Sequence, residues 1–138
     1  LNKAGVISWF SKGLQGSIEA SGMAWPMAAA VLVLVFLFSH YFFASTTAHI
    51  SAMMLAFLTV GAHVVPAAYL TAFLLMMVAA SCIMMTLTHY ATGTSPIIFG
   101  SGYVPLGKWW MVGLAMALLE LLVYATVGLL WWKVLGHW

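Results

Sequence analysis

Two short polar stretches interrupt an otherwise apolar chain, and each places hydroxyl side chains close to a histidine. The first reads Ala-Ser-Thr-Thr-Ala-His over residues 44–49, and the second reads Thr-His-Tyr-Ala-Thr-Gly-Thr-Ser-Pro over residues 88–96. Hydroxyl groups donate hydrogen bonds to a carboxylate without adding a charge, and the free N–H groups of an interrupted helix attract anions. A pair of interrupted apolar segments therefore predicts an anion-binding site in a membrane carrier. Its candidate ligands are the hydroxyl side chains of the two stretches, among them Ser45, Thr46 and Thr47 in the first.

The hydroxyls and the histidines each have a second interpretation. Ser and Thr also cap helix ends locally, so hydroxyls alone do not distinguish a binding site from capping. His49 and His89 are candidate substrate or proton sites, because imidazole changes charge near neutral pH, but structural histidines bonded to backbone carbonyls fit equally well. His40, His63 and His137 stand at segment ends, and we expect them at a membrane interface. The histidine spacing does not match a metal site on one helix, so none is predicted.

Glu120 stands near the middle of the last apolar run, within Leu-Leu-Glu-Leu-Leu. A charged carboxylate there costs about 3 kcal/mol on insertion scales, which makes it a functional candidate. Gly113, Ala117, Tyr124 and Gly128 share roughly the same helix face, a pattern of small residues that favours helix packing. Two roles remain open for Glu120: a proton site, or a protonated carboxyl group that joins two helices, with Tyr124 as a candidate partner.

The small number of charged residues indicates that the elements positioning these side chains belong to a membrane protein. The 138 residues include four lysines, two glutamates, no arginine and no aspartate, whereas about a quarter of a soluble domain is charged. Residues 20–107 carry no charge, and 65% of the chain is apolar. This composition excludes an ordinary soluble domain, a nucleic-acid-binding protein and a disordered chain, and it predicts an all-α integral membrane protein. The lone Cys82 excludes an internal disulfide, and its small apolar neighbours predict a buried thiol.

The apolar runs divide the chain into four segments. Residues 1–22 are apolar on one side, which predicts an amphipathic arm helix at the membrane interface. Residues 23–62 predict a helical hairpin, residues 63–108 a broken transmembrane helix with a loop, and residues 109–138 a final transmembrane helix. Tryptophans at both ends of that last helix are typical of an aromatic belt. They are Trp109, Trp110, Trp131, Trp132 and Trp138.

Two arrangements are open for each interruption. The hairpin either crosses the membrane twice or re-enters it, with a tip that stops inside. Its second arm has only about 13 apolar residues before Gly61, fewer than the ~20 that a crossing requires, which favours re-entry.

Residues 88–96 form either a loop outside the membrane or an intramembrane break. Gly93 and Pro96 end a helix there, and the lack of charge favours the intramembrane break.

Several motifs resemble the divalent anion:sodium symporter family, in particular its branch of 2-oxoglutarate/malate translocators and citrate/succinate or tartrate/succinate antiporters. The resemblance covers effectively the whole chain, which would correspond to the last third or less of such a protein. The motifs are His-Tyr-Phe-Phe-Ala-Ser-Thr-Thr-Ala-His at 40–49, Leu-Thr-His-Tyr-Ala-Thr-Gly at 87–93, Phe-Gly-Ser-Gly-Tyr-Val-Pro-Leu at 99–106 and Trp-Trp at 109–110, with fitting ends at 1–3 and 131–138.

The resemblance implies an elevator-type carrier built from two inverted repeats, of which this chain is the carboxyl-terminal transport part. The amino-terminal repeat and a scaffold domain would lie elsewhere in the same protein, which would be a homodimer in a bacterial inner membrane or an organelle inner envelope. The substrate would be a di- or tricarboxylate such as succinate, malate, 2-oxoglutarate, citrate or tartrate. Neither a cofactor nor a nucleic-acid partner is implied.

The same resemblance assigns roles to the polar stretches. In sodium-coupled relatives the hairpin tip reads Ser-Asn-Thr and contacts both carboxylate and sodium, so Ser45, Thr46 and Thr47 inherit the substrate role. The facing wall of the substrate site is then formed chiefly by Thr92, Gly93, Thr94 and Ser95. Thr46 replaces the asparagine, which implies exchange of one anion for another rather than sodium coupling. His89 matches the antiporter-like branch, whereas Glu120 matches no motif of the family.

Three other functions remain as alternatives. A sodium- or proton-coupled dicarboxylate symporter would use the same site with a different driving force. A membrane enzyme would use His49 and His89 as acid and base, although the sequence offers no paired carboxylates for it. A non-transport membrane subunit would use the polar stretches only to pack helices.

Overall fold

The computed structural model describes residues 5–137, and every regular element within that range is helical. Within this range, four stretches are long and apolar enough to cross a membrane: Trp25–Phe42, Thr46–Val64, Ala67–Thr86 and Leu106–Val134. The predicted all-α integral membrane fold is therefore confirmed. The α-helices are α1 Val6–Ala20, α2 Trp25–Ser39, α3 Thr46–Val64, α4 Leu70–Ile83, α5 Ser95–Gly100, α6 Leu106–Val123 and α7 Leu129–Val134.

Helix α1 packs its apolar side onto α3. The Phe10 and Phe57 rings lie 5.8 Å apart, and Ile18 is buried in the core. The predicted arm helix is thus amphipathic, but protein covers much of its apolar side. The predicted arm also included residues 1–4, and the predicted belt included Trp138; both lie outside the described residues.

Helices α2 and α3 form the hairpin, and its second arm is longer than the sequence suggested. Helix α3 runs without a break through Gly61 to Val64, a length of 19 residues. The expectation of a short arm is therefore wrong, because α3 continues past Gly61, where the Phe73 ring of α4 packs beside the glycine. With both arms long enough to cross, the length argument for re-entry no longer holds.

The second interruption separates α4 from α6. A single 3₁₀ turn, Met84–Thr86, ends the α4 run, and the chain stays irregular until α5 begins at Ser95. Pro96 lies in the first turn of α5, where its missing N–H costs nothing, so it starts a short helix as well as ending the irregular stretch. Helix α6 begins at Leu106, three residues before the predicted start, and a π-helical turn, Tyr124–Gly128, joins it to α7.

Glycines allow two close helix contacts that set the geometry of the bundle. A Cβ at Gly61 would overlap the Phe73 ring of α4, and a Cβ at Gly113 would overlap the backbone carbonyl of Thr86. Ala117, one turn after Gly113, is fully buried. The predicted small-residue face of α6 therefore packs through Gly113 and Ala117 against the end of the α4 run.

The prediction of a buried Cys82 thiol is wrong, because this side chain is exposed. It lies on the same face of α4 as the exposed Leu74 and Val78, at intervals of four residues. The small residues that precede it, Ala79 and Ala80, face the core instead. Neighbours in sequence thus point in different directions around a helix.

Replacing Gly61 by Ala is expected to lower the free energy of unfolding by about 1–3 kcal/mol, because the new methyl group would overlap the buried Phe73 ring. The measurement is the thermal unfolding midpoint of the purified protein in detergent. Gly16→Ala is the matched control, since a Cβ at this helical glycine meets nothing within 4 Å. It should leave the midpoint unchanged or raise it slightly. A Gly61→Ala midpoint equal to that of the wild type would contradict the packing.

Candidate anion-binding site at the paired interruptions

The two polar interruptions meet in the structure. The backbone N–H of Thr46, at the hairpin tip, donates to the carbonyl of Ala91 in the second interruption at 3.0 Å. The hydroxyl group of Tyr90 donates to the carbonyl of Tyr41 at 3.0 Å. Both bonds join the hairpin to the second interruption, and Thr46 and Ala91 are buried where they meet. Residues that are about 45 positions apart in sequence therefore form one polar junction.

At the hairpin tip the hydroxyl of Ser45 caps α3 by accepting a hydrogen bond from the Ala48 N–H at 3.2 Å. Capping uses only an oxygen lone pair, so the Ser45 hydroxyl proton stays available for an anion. Thr47 is exposed, whereas the Thr46 side chain is buried. The capping role and the binding role are therefore compatible at Ser45, and Thr47 is the more accessible hydroxyl.

The second interruption holds a compact cluster of three hydroxyls. The Thr92 Oγ1 atom lies 2.7 Å from Ser95 Oγ and 3.1 Å from Thr94 Oγ1, and it accepts a hydrogen bond from the Ser95 N–H at 3.2 Å. Gly93 and Thr94 are exposed, Thr92 is half-buried, and Ser95 is buried. The Thr46–Ala91 hydrogen bond attaches the segment that carries these three hydroxyls to the hairpin tip.

His49 lies in the core beneath the hairpin tip. Its ring is stacked between the rings of Phe36 and Phe43, each at 4.6 Å. Its Nε2 atom lies 2.9 Å from Ser39 Oγ, and its Nδ1 atom lies 3.1 Å from Met84 Sδ. Since both nitrogens have partners and the side chain is fully buried, the contacts favour the structural alternative for His49.

The prediction that His40 lies at a membrane interface is also wrong, because its side chain is fully buried. Its ring centroid lies 5.6 Å from that of His49, and its two ring nitrogens have no hydrogen-bond partner among the described residues. The 3₁₀ turn His40–Phe42 carries the end of the first arm back toward the core. Position at a segment end therefore misled the sequence interpretation. His63, by contrast, is exposed, and its Nδ1–H donates to the Thr59 carbonyl at 2.8 Å.

His89 connects the second interruption to α6. The indole N–H of Trp110 donates to His89 Nδ1 at 3.2 Å, and the rings of Phe99 and Tyr90 lie 4.7 and 4.9 Å from the imidazole. A neutral imidazole that accepts at Nδ1 carries its proton at Nε2, which leaves that N–H as a donor. From the sequence Trp110 was assigned to the aromatic belt and to a family motif, and neither assignment indicates this contact with His89.

Glu120 does not contact the predicted binding residues. It lies on the face of α6 that carries Gly113, which packs on the carbonyls of Thr86 and Leu87. Its Oε2 atom is buried and has no partner among the described residues. Tyr124, the candidate partner from the sequence, has its ring beside Trp132 instead, at 6.2 Å.

Comparisons with known proteins show what the chain is similar to over its length. The chain matches the family model described as the sodium:sulfate symporter transmembrane region over residues 1–138. It is 43% identical over 138 residues to dicarboxylate transporter 1, chloroplastic, of Spinacia oleracea, covering all of this chain and 24% of that protein. It is 44% identical over 137 residues to the L-tartrate/succinate antiporter of Escherichia coli, covering 97% of this chain and 27% of that protein. The chain thus spans about a quarter of the length of these curated relatives.

Tyr90→Phe removes the hydroxyl that donates to the Tyr41 carbonyl and keeps the ring. Losing a hydrogen bond worth about 1 kcal/mol should weaken the junction between the interruptions. The Thr46 amide, which is bonded to Ala91, should then exchange with deuterium roughly fivefold faster, as hydrogen-exchange mass spectrometry would show.

The control for this measurement is Tyr103→Phe, because Tyr103 is 89% exposed and lies outside the junction. It should leave the exchange of the Thr46 amide unchanged. Equal exchange in Tyr90→Phe and the wild type would contradict a junction held by this bond.

Proposed function

The chain belongs to the sodium:sulfate symporter family, since the family model matches its full length, and from this premise we propose that it is the transport part of a carrier for di- or tricarboxylates. The divalent-anion symporter resemblance of the sequence is thereby confirmed. The relatives described above are named for dicarboxylate transport and for tartrate/succinate antiport, which supports this class of substrate. The complete carrier would be a secondary transporter rather than an enzyme.

The observation that carries the proposal is the hydrogen-bonded junction of the two interruptions. One carboxylate of the substrate would bind the hydroxyls of the hairpin tip, chiefly those of Ser45 and Thr47. The other would bind at the facing wall formed by residues 92–95. Because residues 20–107 contain no lysine or arginine, this part of the site would hold a dianion through neutral donors. Neutral donors attract an anion less strongly than buried cations do, and they release it more readily after it has crossed.

Exchange of one anion for another is the proposed coupling, and it uses neither a cofactor nor sodium. Thr46 replaces an asparagine that contacts sodium in coupled relatives, and here its backbone N–H is engaged by Ala91. A sodium- or proton-coupled symporter is the alternative mode for the same site. We also propose that the complete protein is a homodimeric, elevator-type carrier of a bacterial inner membrane or an organelle inner envelope, with its other repeat and scaffold supplied by the rest of the protein.

The geometry gives little support to a membrane enzyme based on His49 and His89. The imidazole of His49 is enclosed by aromatic rings and is fully buried, so it cannot reach a substrate at the surface of the junction. An acid–base pair requires both groups within hydrogen-bonding reach of the reacting atoms. Transport without chemical change therefore remains the proposed activity.

Thr47→Val is the sharpest test of the binding site, because it keeps the shape of the side chain and removes only the hydroxyl. Losing one hydrogen bond to a carboxylate should raise the KM for succinate by roughly tenfold. The measurement is uptake of labelled succinate by liposomes that contain the complete carrier and are preloaded with unlabelled succinate.

Thr59→Val serves as the matched control, since Thr59 lies on the same helix and its hydroxyl donates to the Leu55 carbonyl at 2.8 Å. Its KM should stay at the wild-type value. An unchanged KM in Thr47→Val would remove this residue from the site. Uptake that requires a sodium gradient and ignores internal succinate would instead refute exchange.

A further inference from the structure

A polar groove lies between the arm helix α1 and the last turns of α3. It encloses about 370 Å³, a volume within the range of about 300–1,000 Å³ that is usual for small-molecule sites. None of the described residues that line it belongs to either interruption, so the proposed anion site does not use it. Among its lining residues are Ser8, Lys12 and Gln15 of α1 and Leu55, Thr59 and His63 of α3.

Each of the two helices brings one face to the groove. On α1 these residues follow one another at intervals of four and three positions, and on α3 at intervals of four, so each set shares one helix face. The helices are joined beside the groove by the rings of Phe10 and Phe57, which lie 5.8 Å apart. Packing that does not involve the polar side chains therefore holds the two polar faces side by side.

The α1 wall offers hydrogen-bond donors and a positive charge. Lys12 is exposed, and its ammonium group has three N–H donors and no acceptor. One N–H of the Gln15 amide donates to Glu19 Oε1 at 2.8 Å, and the amide has a second N–H. The described residues that line the groove include no carboxylate. This wall therefore fits an anionic group such as a phosphate.

The α3 wall offers a hydrogen-bond acceptor. The Nδ1 atom of His63 lies 2.8 Å from the Thr59 carbonyl oxygen. A carbonyl oxygen can only accept, so the ring proton of a neutral His63 is on Nδ1, and Nε2 keeps its lone pair. The imidazole is exposed, which leaves Nε2 accessible. A ligand that spans the groove must therefore carry an N–H or O–H donor as well as an anion.

The polar end of the groove lies at the level of a membrane interface. Helix α3 ends one residue after His63, and α2 begins at Trp25 at the same end of the hairpin. The rings of Trp25 and Tyr69 stack there at 4.6 Å, and Trp and Tyr favour the headgroup level. Leu55 is also exposed, and it lies eight residues before His63, about 12 Å deeper along the helix axis. The groove thus runs from a polar end toward an apolar surface, as a phospholipid does.

We propose that this groove binds the headgroup of phosphatidylethanolamine. Its phosphate accepts hydrogen bonds from the Lys12 ammonium group and the Gln15 amide, and its own ammonium group donates to His63 Nε2. Phosphatidylcholine has the same phosphate, but its quaternary ammonium has no N–H, so it satisfies only the α1 wall. The bound lipid joins the arm helix to the second arm of the hairpin. This inference does not depend on the proposed transport function.

The test is lipid retention by the complete carrier, measured by native mass spectrometry. The purified carrier is incubated in detergent with equal amounts of phosphatidylethanolamine and phosphatidylcholine that have identical acyl chains. Phosphatidylethanolamine should be retained roughly tenfold more, because it alone makes the hydrogen bond between a charged donor and His63. Equal retention of the two lipids by the wild type would overturn the inference.

Two variants separate the walls of the groove. Lys12→Gln removes the cation that meets the phosphate of both lipids, so it should lower the retention of each by roughly tenfold and keep their ratio. His63→Phe removes the acceptor, so it should lower the retention of phosphatidylethanolamine alone and bring the ratio to about one. Both side chains are exposed, so neither variant removes core packing. A wild-type ratio in His63→Phe would contradict the proposed orientation.

Lys108→Gln is the matched control, because Lys108 is also exposed but lies on α6, outside this groove. Its retention of both lipids should equal that of the wild type. Equal losses in Lys12→Gln and Lys108→Gln would show attraction to surface charge in general and would overturn the site.

Glycerophosphoethanolamine distinguishes a membrane lipid from a soluble phosphate ester, since it has the same headgroup and no acyl chains. At the concentration used for the lipid it should be retained at least roughly tenfold less, because the acyl chains add apolar contacts. Equal retention would assign the groove to a soluble ligand and overturn the lipid assignment. Loss of succinate exchange would refute the carrier function and leave these retention measurements unaffected.

Discussion

The structure depends on one constraint: backbone groups released by an interrupted helix within an apolar environment need new hydrogen-bond partners. The chain has two such interruptions, and they satisfy each other. The Thr46 N–H bonds the Ala91 carbonyl, and the Tyr90 hydroxyl bonds the Tyr41 carbonyl. Each interruption alone would leave polar groups without partners. Together they form one hydrogen-bonded junction, at which the buried Thr46 and Ala91 meet.

The surrounding side chains hold this junction in place from three directions. Beneath the tip, His49 is fixed between two phenyl rings and bonded to Ser39. On the α6 side, Trp110 donates to His89. Below the second interruption, Gly113 lets α6 approach the carbonyls of Thr86 and Leu87. The supporting residues are rigid aromatic rings and small side chains. They hold the polar junction in its geometry without charged side chains.

The sequence predicted the helical segments well because spanning length and hydrophobicity are local properties. The final helix was placed within three residues of its start, and the second interruption begins at Leu87, one residue before its predicted start. The errors concern burial and continuity. His40 and Cys82 were assigned from their neighbours in sequence, although burial depends on the face each occupies once helices pack. Helix α3 continues past Gly61 because the Phe73 ring fills the space beside the glycine, a contact between helices that no local pattern reveals.

By itself the sequence determined that the chain is a helical membrane protein and that its polar, uncharged residues fall into two groups. That follows from the cost of placing charges in hydrocarbon, which restricts composition before any fold exists. Only the tertiary structure decided that the two groups meet, and that His49 lies in the core rather than at the surface of the junction. Those outcomes depend on hydrogen bonds and ring contacts between residues tens of positions apart. Such pairs are selected by how the helices pack, and packing is a property of the whole assembled bundle.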